Sequence, residues 1–270
     1  MPEERHQKIL RRLQALESQR SQWEALWREV SEYILPSRGF FSGQTPNQGE
    51  TRQDRILDGT ATRAVRVLAA GLQGGLTSPA RPWFRLGLAD RELMSFSPVR
   101  EYLDECERRL YGAFSRSNFY SAIHAVYTEL SGFGTAVLYE EQDPAKGVSF
   151  KVITAGEYCL AEGHQGLVDT VYRKFWMTAR QMVQRFGDRV STRVKDAAAA
   201  NPDEFFLVVH AVQPRSDRRP GKADKADMEW ESVYLEFDRS DGLLQAGGYE
   251  EFPFMAPRWG ASGADVYGRS

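Results

Sequence analysis

The sequence predicts an α+β fold with a helical N-terminal half and a strand-rich, mostly antiparallel second half that contains one or two short helices. Three patterns support this prediction. The first 35 residues repeat apolar side chains at helical spacing, a second segment is rich in Ala and Gly at helix-compatible positions, and from Thr135 onward apolar and polar residues alternate as in strands. We therefore divide the chain into a helical part, residues 1–134, and a strand-rich part, residues 135–270.

A long helix is predicted over residues 3–35, where apolar side chains recur in alternating steps of four and three. Arg20 interrupts this heptad pattern once, and Pro36 ends the helix because proline cannot continue it. The stripe could pack on its own domain or form a seam with a neighbouring subunit. A membrane-surface role is less favoured, because acidic residues share the polar face with basic ones. The stripe comprises Ile9, Leu13, Leu16, Trp23, Trp27, Val30 and Ile34.

Residues 36–53 form a long segment rich in Gly, Pro, Asn and Gln, and it contains Arg38 and Arg52. Loops of this length are usually functional or mobile. We interpret the segment as an exposed arm.

A second helix is predicted from Thr60 to about Thr77, and its interior holds Gly71, Gly74 and Gly75. Each interior glycine costs about 1 kcal/mol relative to alanine. Such a cost is tolerated where a neighbouring backbone comes close, so the composition predicts a central, tightly packed helix.

The remaining elements follow from caps, periodicity and turn residues. Two further helices span about residues 97–115 and 118–130, and a Gly132–Gly134 turn ends the second of them. Strands are predicted at residues 135–139, 150–153, 157–160, 167–176, 205–212, 229–237 and 247–252. Short helices are predicted at residues 179–186 and 189–200.

Bulk composition excludes several classes of protein. The net charge of −2 and the isoelectric point near 6.2 give no general attraction to nucleic acid or to anionic membranes. Cys106 and Cys159 form no metal or redox motif. No signal peptide and no membrane-spanning apolar run is evident. We expect a protein that works in the cytosol or within a soluble assembly.

No catalytic motif and no cofactor motif is found in the sequence. The four histidines are scattered without metal-ligand spacing. Glu140, Glu141 and Asp143 could bind Mg²⁺ for nuclease chemistry, although a solvated turn is the favoured interpretation. We therefore predict a non-enzymatic protein without a metal or cofactor.

The order of short motifs along the chain is more informative than any single site. The set resembles the portal, or head-to-tail connector, proteins of short-tailed bacteriophages and related prophages, over nearly the whole chain. The closing motif, Tyr267-Gly268-Arg269-Ser270, is the most specific part of this resemblance. The other motifs are Tyr33-Ile34-Leu35-Pro36, Asp58-Gly59-Thr60-Ala61, Leu76-Thr77-Ser78-Pro79, Trp83-Phe84, Ser117-Asn118-Phe119-Tyr120, Gly132-Phe133-Gly134-Thr135 and Pro257-Arg258-Trp259.

The resemblance implies a homo-oligomeric ring, dodecameric in that family, at one capsid vertex of the virion. Double-stranded DNA would pass through the ring without sequence specificity during packaging and ejection. The implied partners are the capsid or scaffold, the terminase motor and the tail adaptor, with no membrane contact and assembly in the host cytoplasm. Residues 1–270 would form the portal wing, and the stem, clip and crown are expected beyond residue 270.

Two sets of candidate residues follow, and neither set is catalytic. The subunit-interface candidates are Trp23, Trp27, Arg38, Arg52, Gly71, Gly74 and Gly75. The structural-motif candidates are Trp83, Phe84, Gly132, Gly134, Tyr267, Gly268 and Arg269.

Two alternative functions remain open from the sequence. The first is a coiled-coil adaptor or scaffold that uses the first helix without DNA passage. The second, less favoured, is a metal-dependent nuclease that uses the acidic turn.

Overall fold

The computed structural model describes residues 2–36, 56, 58–219, 221, 224–239, 242–263 and 265–270. The fold is α+β, helical in its first half and antiparallel in its second, as predicted. The helices are α1 (Pro2–Tyr33), α2 (Thr60–Leu76), α3 (Arg91–Ser95), α4 (Ser97–Arg116), α5 (Phe119–Phe133), α6 (Ala179–Phe186) and α7 (Thr192–Ala200). The strands are β1 (Val137–Asp143), β2 (Gly147–Ile153), β3 (Tyr158–Glu162), β4 (Val168–Thr178), β5 (Phe205–Pro214), β6 (Trp230–Glu236), β7 (Leu243–Tyr249) and β8 (Phe254–Met255).

The chain forms two compact units that interleave along the sequence. The switch from helices to strands falls near residue 135, whereas each compact unit draws on both halves of the chain. The sheet unit comprises Met1–Ile56, Thr154–Pro253 and Gly260–Gly268. The helical unit comprises Leu57–Ile153, Phe254–Trp259 and Arg269–Ser270.

The sheet unit is built on a five-stranded antiparallel sheet in the order β3-β4-β5-β6-β7. Because successive side chains on a strand point to opposite faces, each face buries its own apolar set. The stripe of α1 packs on one face, where Ile9, Leu13 and Leu16 meet Tyr172 and Val209. Helices α6 and α7 cover part of the other face.

Helix α6 begins where the sequence predicts, because Thr178 and Gln181 form a reciprocal capping box. The apolar cluster beneath α6 and α7 includes Met182, Phe186, Val194, Phe206 and Leu244.

The helical unit places α5 against α2, α4 and a three-stranded sheet in the order β2-β1-β8. Its apolar cluster centres on Phe119, Val126, Leu138 and Phe150. Three details differ from the sequence prediction. The short helix α3 was not predicted, the seventh predicted strand begins earlier at Leu243, and β8 is an additional short strand. None of the helices among the described residues combines the length and the apolar character needed to cross a membrane.

Candidate functional site

Helix α2 is attached to its own unit by one narrow face. Val65 and Ala69 are buried on that face. Gln73 reaches α5 with both ends of its amide, because its Nε2 donates to Tyr120 O at 2.9 Å and its Oε1 accepts from His124 Nδ1 at 2.8 Å. These contacts fix which side of α2 faces outward.

The opposite side of α2 is exposed, and it combines small and apolar side chains with the exposed Arg63. We call this surface the α2 outer face. Val67 is 66% exposed and Leu68 is 42% exposed, which is unusual for large apolar side chains. Arg63 and Arg66 lie on the same exposed helix. The α2 outer face comprises Ala64, Val67, Leu68, Gly71, Gly74 and Gly75.

No described residue packs against the side-chain positions of the α2 glycines, so the prediction of a central, tightly packed helix is wrong. A Cβ atom added at Gly71, Gly74 or Gly75 would meet nothing within 4 Å. The helix therefore carries three costly residues that no contact among the described residues explains. The helix starts at Thr60, as predicted. Gly59 is the N-cap, and the Asp58 carboxylate accepts from Thr60 N at 3.0 Å.

The apolar stripe of α1 packs against its own sheet unit, which leaves the adaptor alternative without its seam. Trp27 is fully buried, and its ring lies 5.1 Å from the Tyr267 ring in an edge-on arrangement. The half-buried Trp23 also contacts Tyr267, with ring centroids 5.8 Å apart. Both tryptophans thus have packing roles inside the sheet unit. Arg38 and Arg52, together with the predicted arm, lie outside the described residues.

Arg20, the apparent interruption of the heptad stripe, is itself buried where α1 packs on the sheet unit. Its Nη1 donates to Gly156 O at 2.7 Å and to Tyr158 O at 3.0 Å, and its Nε and Nη2 donate to Glu24 Oε1. The buried charge is acceptable because its donors are satisfied.

The closing motif supplies residues to both compact units. Tyr267 is buried in the sheet unit, where its hydroxyl accepts a hydrogen bond from Leu160 N at 3.0 Å. Burial raises the pKa of Tyr267 well above its usual range. Gly268 is also buried.

Arg269 and Ser270 belong to the helical unit and pass directly over Gly134. Gly134 ends α5 in the left-handed region with φ of 72°. A Cβ atom there would lie 2.5 Å from Arg269 C and 2.6 Å from Ser270 N. Ser270 Oγ donates to Gly132 O at 2.8 Å. Glycine is therefore required at position 134 both by backbone conformation and by close chain approach.

Trp83 and Phe84 form the edge of the aromatic core of the helical unit. Trp83 stacks on Phe119 with an interplanar angle of 6°. Tyr111 fixes the backbone of this segment, because its hydroxyl accepts from Trp83 N at 2.7 Å and donates to Phe84 O at 2.8 Å. These contacts place both aromatic residues in the packing of the helical unit.

The acidic tract lies on strand β1. The side chain of Glu140 points to one face of β1, whereas those of Glu141 and Asp143 point to the other. Asp143 closes the β1–β2 turn by accepting from Ala145 N and Lys146 N, and these bonds lower its pKa. Across the described ranges, no three His, Cys, Asp or Glu side chains converge to hold a metal ion.

The sheet unit has a charged cavity of about 540 Å³ that the sequence analysis did not single out. Local sequence offers one signal, the three basic residues within seven positions that begin at Arg189. The fourth cation, Arg239, follows β6 and joins them only through the fold. The lining residues are Asp188, Arg189, Val190, Ser191, Thr192, Arg193, Lys195 and Arg239.

Comparison with known proteins gives relatives of one kind. The chain is 43% identical over 267 residues to the probable portal protein of Bordetella phage BPP-1, covering 97% of this chain and 48% of the relative. It is 38% identical over 276 residues to the portal protein of Salmonella phage epsilon15, covering 100% of this chain and 49% of that relative. The chain thus spans about half the length of these relatives.

A family-wide comparison covers almost every residue. Residues 6–270 match the family described as bacteriophage head to tail connecting protein. The match includes α1, both compact units and the closing motif. The chain therefore belongs to the family of bacteriophage head-to-tail connecting proteins, a family of structural proteins.

Proposed function

We propose that this chain is the wing part of a portal subunit that assembles into a closed ring at one vertex of a phage capsid. The observation that carries the proposal is family membership together with the unfilled α2 outer face. The relatives are portal proteins of phages, and this chain matches about half of each. The stem, clip and crown would lie in the remaining half of the full-length protein.

The α2 outer face is the proposed contact with the next subunit in the ring. A ring requires a heterologous interface, in which one face of each copy meets a different face of its neighbour. Gly71, Gly74 and Gly75 let a neighbouring backbone approach, and Val67 and Leu68 supply apolar area that would leave water. Burial against a neighbour would offset the cost of three helix glycines.

The ring would conduct double-stranded DNA during packaging and ejection. It would also bind the capsid or scaffold, the packaging motor and the tail adaptor, and it would be assembled in the host cytoplasm. The net charge of −2 supports a conduit, because a strongly basic ring would hold DNA through many phosphate contacts. The proposed role is therefore structural.

The test is Gly71→Leu in the full-length protein, examined for rings by negative-stain electron microscopy. The added side chain meets nothing within the subunit, and leucine is a better helix former than glycine by about 0.8 kcal/mol. The variant subunit should therefore fold at least as well as the wild type. We expect it to remain unassembled, because the larger side chain blocks the approach of a neighbouring backbone.

Ala199→Leu is the matched control, since it adds a similar side chain to an exposed position on α7. The control should form normal rings. Normal rings from Gly71→Leu as well would remove the α2 outer face from the interface. A wild-type protein that stays monomeric at high concentration would contradict the ring itself.

A further inference from the structure

The C-terminal half of α1 carries an exposed strip beside the side that packs on its sheet unit. Trp27 and Val30 are buried on the packed side, whereas Leu26 is 43% exposed and Tyr33 is 48% exposed. Residues three or four positions apart are neighbours on one side of a helix. We call this surface the α1 outer strip, and it comprises the exposed residues Gln22, Ala25, Leu26, Glu29 and Tyr33.

The α1 outer strip and the α2 outer face follow the same spacing along their helices. Counting from the first residue of each set, further members lie three, four, seven and eleven positions on. Helices whose exposed residues repeat in this way can pack side by side over several turns. Eleven positions span about 16 Å of helix, so the two surfaces also match in length. The members with this spacing are Gln22, Ala25, Leu26, Glu29 and Tyr33 on α1, and Ala64, Val67, Leu68, Gly71 and Gly75 on α2.

An antiparallel arrangement of the two helices sets large residues of α1 opposite small residues of α2. When Leu26 is placed opposite Gly71, Tyr33 falls opposite Ala64. A Cβ atom at Gly71 would meet no described residue within 4 Å, so there is room for a leucine side chain from another chain. In a parallel arrangement with the same spacing, Leu26 would instead meet Leu68. Side-chain size therefore favours the antiparallel arrangement.

The charges of the two surfaces are complementary as well. Helix α2 contains Arg63 and Arg66 and no acidic residue. Glu29 is exposed in the middle part of the α1 outer strip. Within the described part of the chain, none of these three side chains takes part in an ion pair. The antiparallel arrangement brings Glu29 toward the arginine-bearing end of α2, and opposite charges across an interface favour the correct partner.

We infer that the α2 outer face of one subunit packs antiparallel against the α1 outer strip of a second copy of this chain. The inference rests on the proposed function, because it names the surface that meets the α2 outer face in the ring. The α1 outer strip belongs to the sheet unit and the α2 outer face to the helical unit. The two surfaces differ, so the contact is heterologous and can repeat from copy to copy.

Two other partners suit the α2 outer face less well. A second α2 would bring the arginines of both copies together, and a two-fold contact of this kind ends at a dimer. Helix α4 exposes Tyr102 and Leu110, but it carries four arginines and four acidic residues. With no net charge, α4 offers a basic helix no electrostatic preference. The α1 outer strip combines exposed apolar side chains with an unpaired carboxylate.

The experiment is disulfide cross-linking of the full-length protein carrying Leu26→Cys and Gly71→Cys, with Cys106→Ser to remove the half-buried native thiol. Cys159 can remain, because burial raises the pKa of its thiol to about 12. Both new thiols lie at exposed positions, so the subunit should fold. Oxidation with copper phenanthroline should link subunits into a ladder of multimers larger than the dimer on a denaturing gel without reductant.

Gln22→Cys with Ala64→Cys, again with Cys106→Ser, is the matched control, since it places the same number of thiols on the same two surfaces. These positions meet in a parallel arrangement, whereas in the antiparallel one they lie about 16 Å apart along the helix. The control pair should give at least fivefold less of the ladder. An equal ladder from both pairs, or a ladder from the control pair alone, would overturn the inference.

Variants with one new thiol test the other two partners. Gly71→Cys with Cys106→Ser should give no cross-linked species, and dimers from it would show that α2 meets a second α2. Gly71→Cys with the native Cys106 should also give none, and a ladder from it would place α4 of a neighbour against α2. Either positive result would overturn the inference.

Electron microscopy of the same samples scores ring formation separately. Intact rings without a ladder from Leu26→Cys with Gly71→Cys would overturn the inference and leave the proposed ring standing. A ladder from chains that form no closed ring would support the contact and overturn the ring. Chains that form neither would overturn both.

Discussion

Gly134 shows how one residue can satisfy two requirements at once. It ends α5 with positive φ, and the Arg269–Ser270 backbone passes where a side chain would begin. Gly134→Ala should destabilise the protein by about 2–4 kcal/mol, because left-handed strain and a backbone clash add together. Urea unfolding of Gly134→Ala and of the wild type measures this loss of stability.

Gly147→Ala is the matched comparison. Gly147 has φ of 88°, but a Cβ atom added there would meet nothing within 4 Å. Its substitution should cost only the strain, about 1 kcal/mol. Equal losses at the two positions would show that the closing segment does not press on Gly134.

The carboxyl group of Asp227 should make the stability of the fold depend on pH. Arg219 donates to it from Nε at 2.8 Å, from Nη2 at 2.6 Å and from its backbone N at 3.2 Å. The side-chain bond from Arg219 is the main reason that the pKa of Asp227 is lowered to about 2. An unfolded aspartate titrates near about 3.9, so this pair stabilises the fold above about pH 4 and loses that contribution as the pH falls toward 2.

Arg219→Gln should move the pKa of Asp227 upward toward the ordinary aspartate value, as followed by an NMR titration of the carboxyl carbon. Arg218→Gln is the control, because Arg218 Nε donates to the Asp227 carbonyl and leaves the carboxylate untouched. A titration of Asp227 that is the same in wild type and Arg219→Gln would contradict the assignment.

Among single residues, the sequence pattern predicted that Gly134 ends a helix, but it did not predict that Arg20 is buried and hydrogen-bonded. A glycine after a helical run is a common local signal for a helix end. Arg20 looks like an error in the heptad stripe, because its carbonyl partners Gly156 and Tyr158 lie far away in sequence. A local pattern cannot identify a buried charge whose acceptors are supplied by another part of the chain.

Helix α1 packs its apolar stripe on the five-stranded sheet. The contribution of this packing to stability can be measured by substituting two leucines of the same helix. Leu13 is buried against the sheet, whereas Leu26 is 43% exposed. Leu13→Ala should cost about 2–5 kcal/mol in urea unfolding, since it leaves a cavity in the core. Leu26→Ala should cost less than about 1 kcal/mol. Similar costs would show that α1 is not packed on the sheet as described.

At the level of elements, the sequence predicted most helices and strands because their caps and periods are local. The Thr178 cap, the α1 stripe and the strand alternation after Thr135 all appear in the fold. The environment of α2 was not predictable from the sequence. Glycines in a helix permit close approach of another backbone, but they do not indicate which segment makes that approach. A Cβ atom at Gly71 would meet no described residue within 4 Å, so the described part of the chain does not explain this glycine.

On the scale of the whole molecule, one short segment is shared between the compact units. Residues 260–268 belong to the sheet unit and Arg269–Ser270 to the helical unit. Replacing residues 260–270 by a Gly/Ser linker of equal length should therefore weaken both units. Hydrogen exchange should become faster at the Leu160 amide in the sheet unit and at the Gly134 amide in the helical unit.

Two single substitutions serve as controls for this replacement. Tyr267→Phe removes the hydroxyl that binds Leu160 N and should speed exchange at Leu160 alone. Ser270→Ala removes the bond to Gly132 O and should affect only the helical unit. Unchanged exchange at both amides in the linker variant would contradict a shared role for the segment.

The interleaving of the two units also explains why the sequence could not predict them. Composition separates helices from strands near residue 135, but compactness depends on contacts between distant parts of the chain, such as α1 with β3 and β1 with β8. The cavity likewise depends on the fold, because Arg189 and Arg239 are distant in sequence and line it together only in the folded sheet unit.

The position of Tyr267 beside β3 has one further consequence. β3 is the outermost strand of its sheet, and an uncovered outer strand invites foreign strands to add to it. The phenol occupies the Leu160 amide, so an incoming chain finds that donor already taken. Tyr267 therefore protects this edge of the sheet against unwanted pairing with a second chain at Leu160.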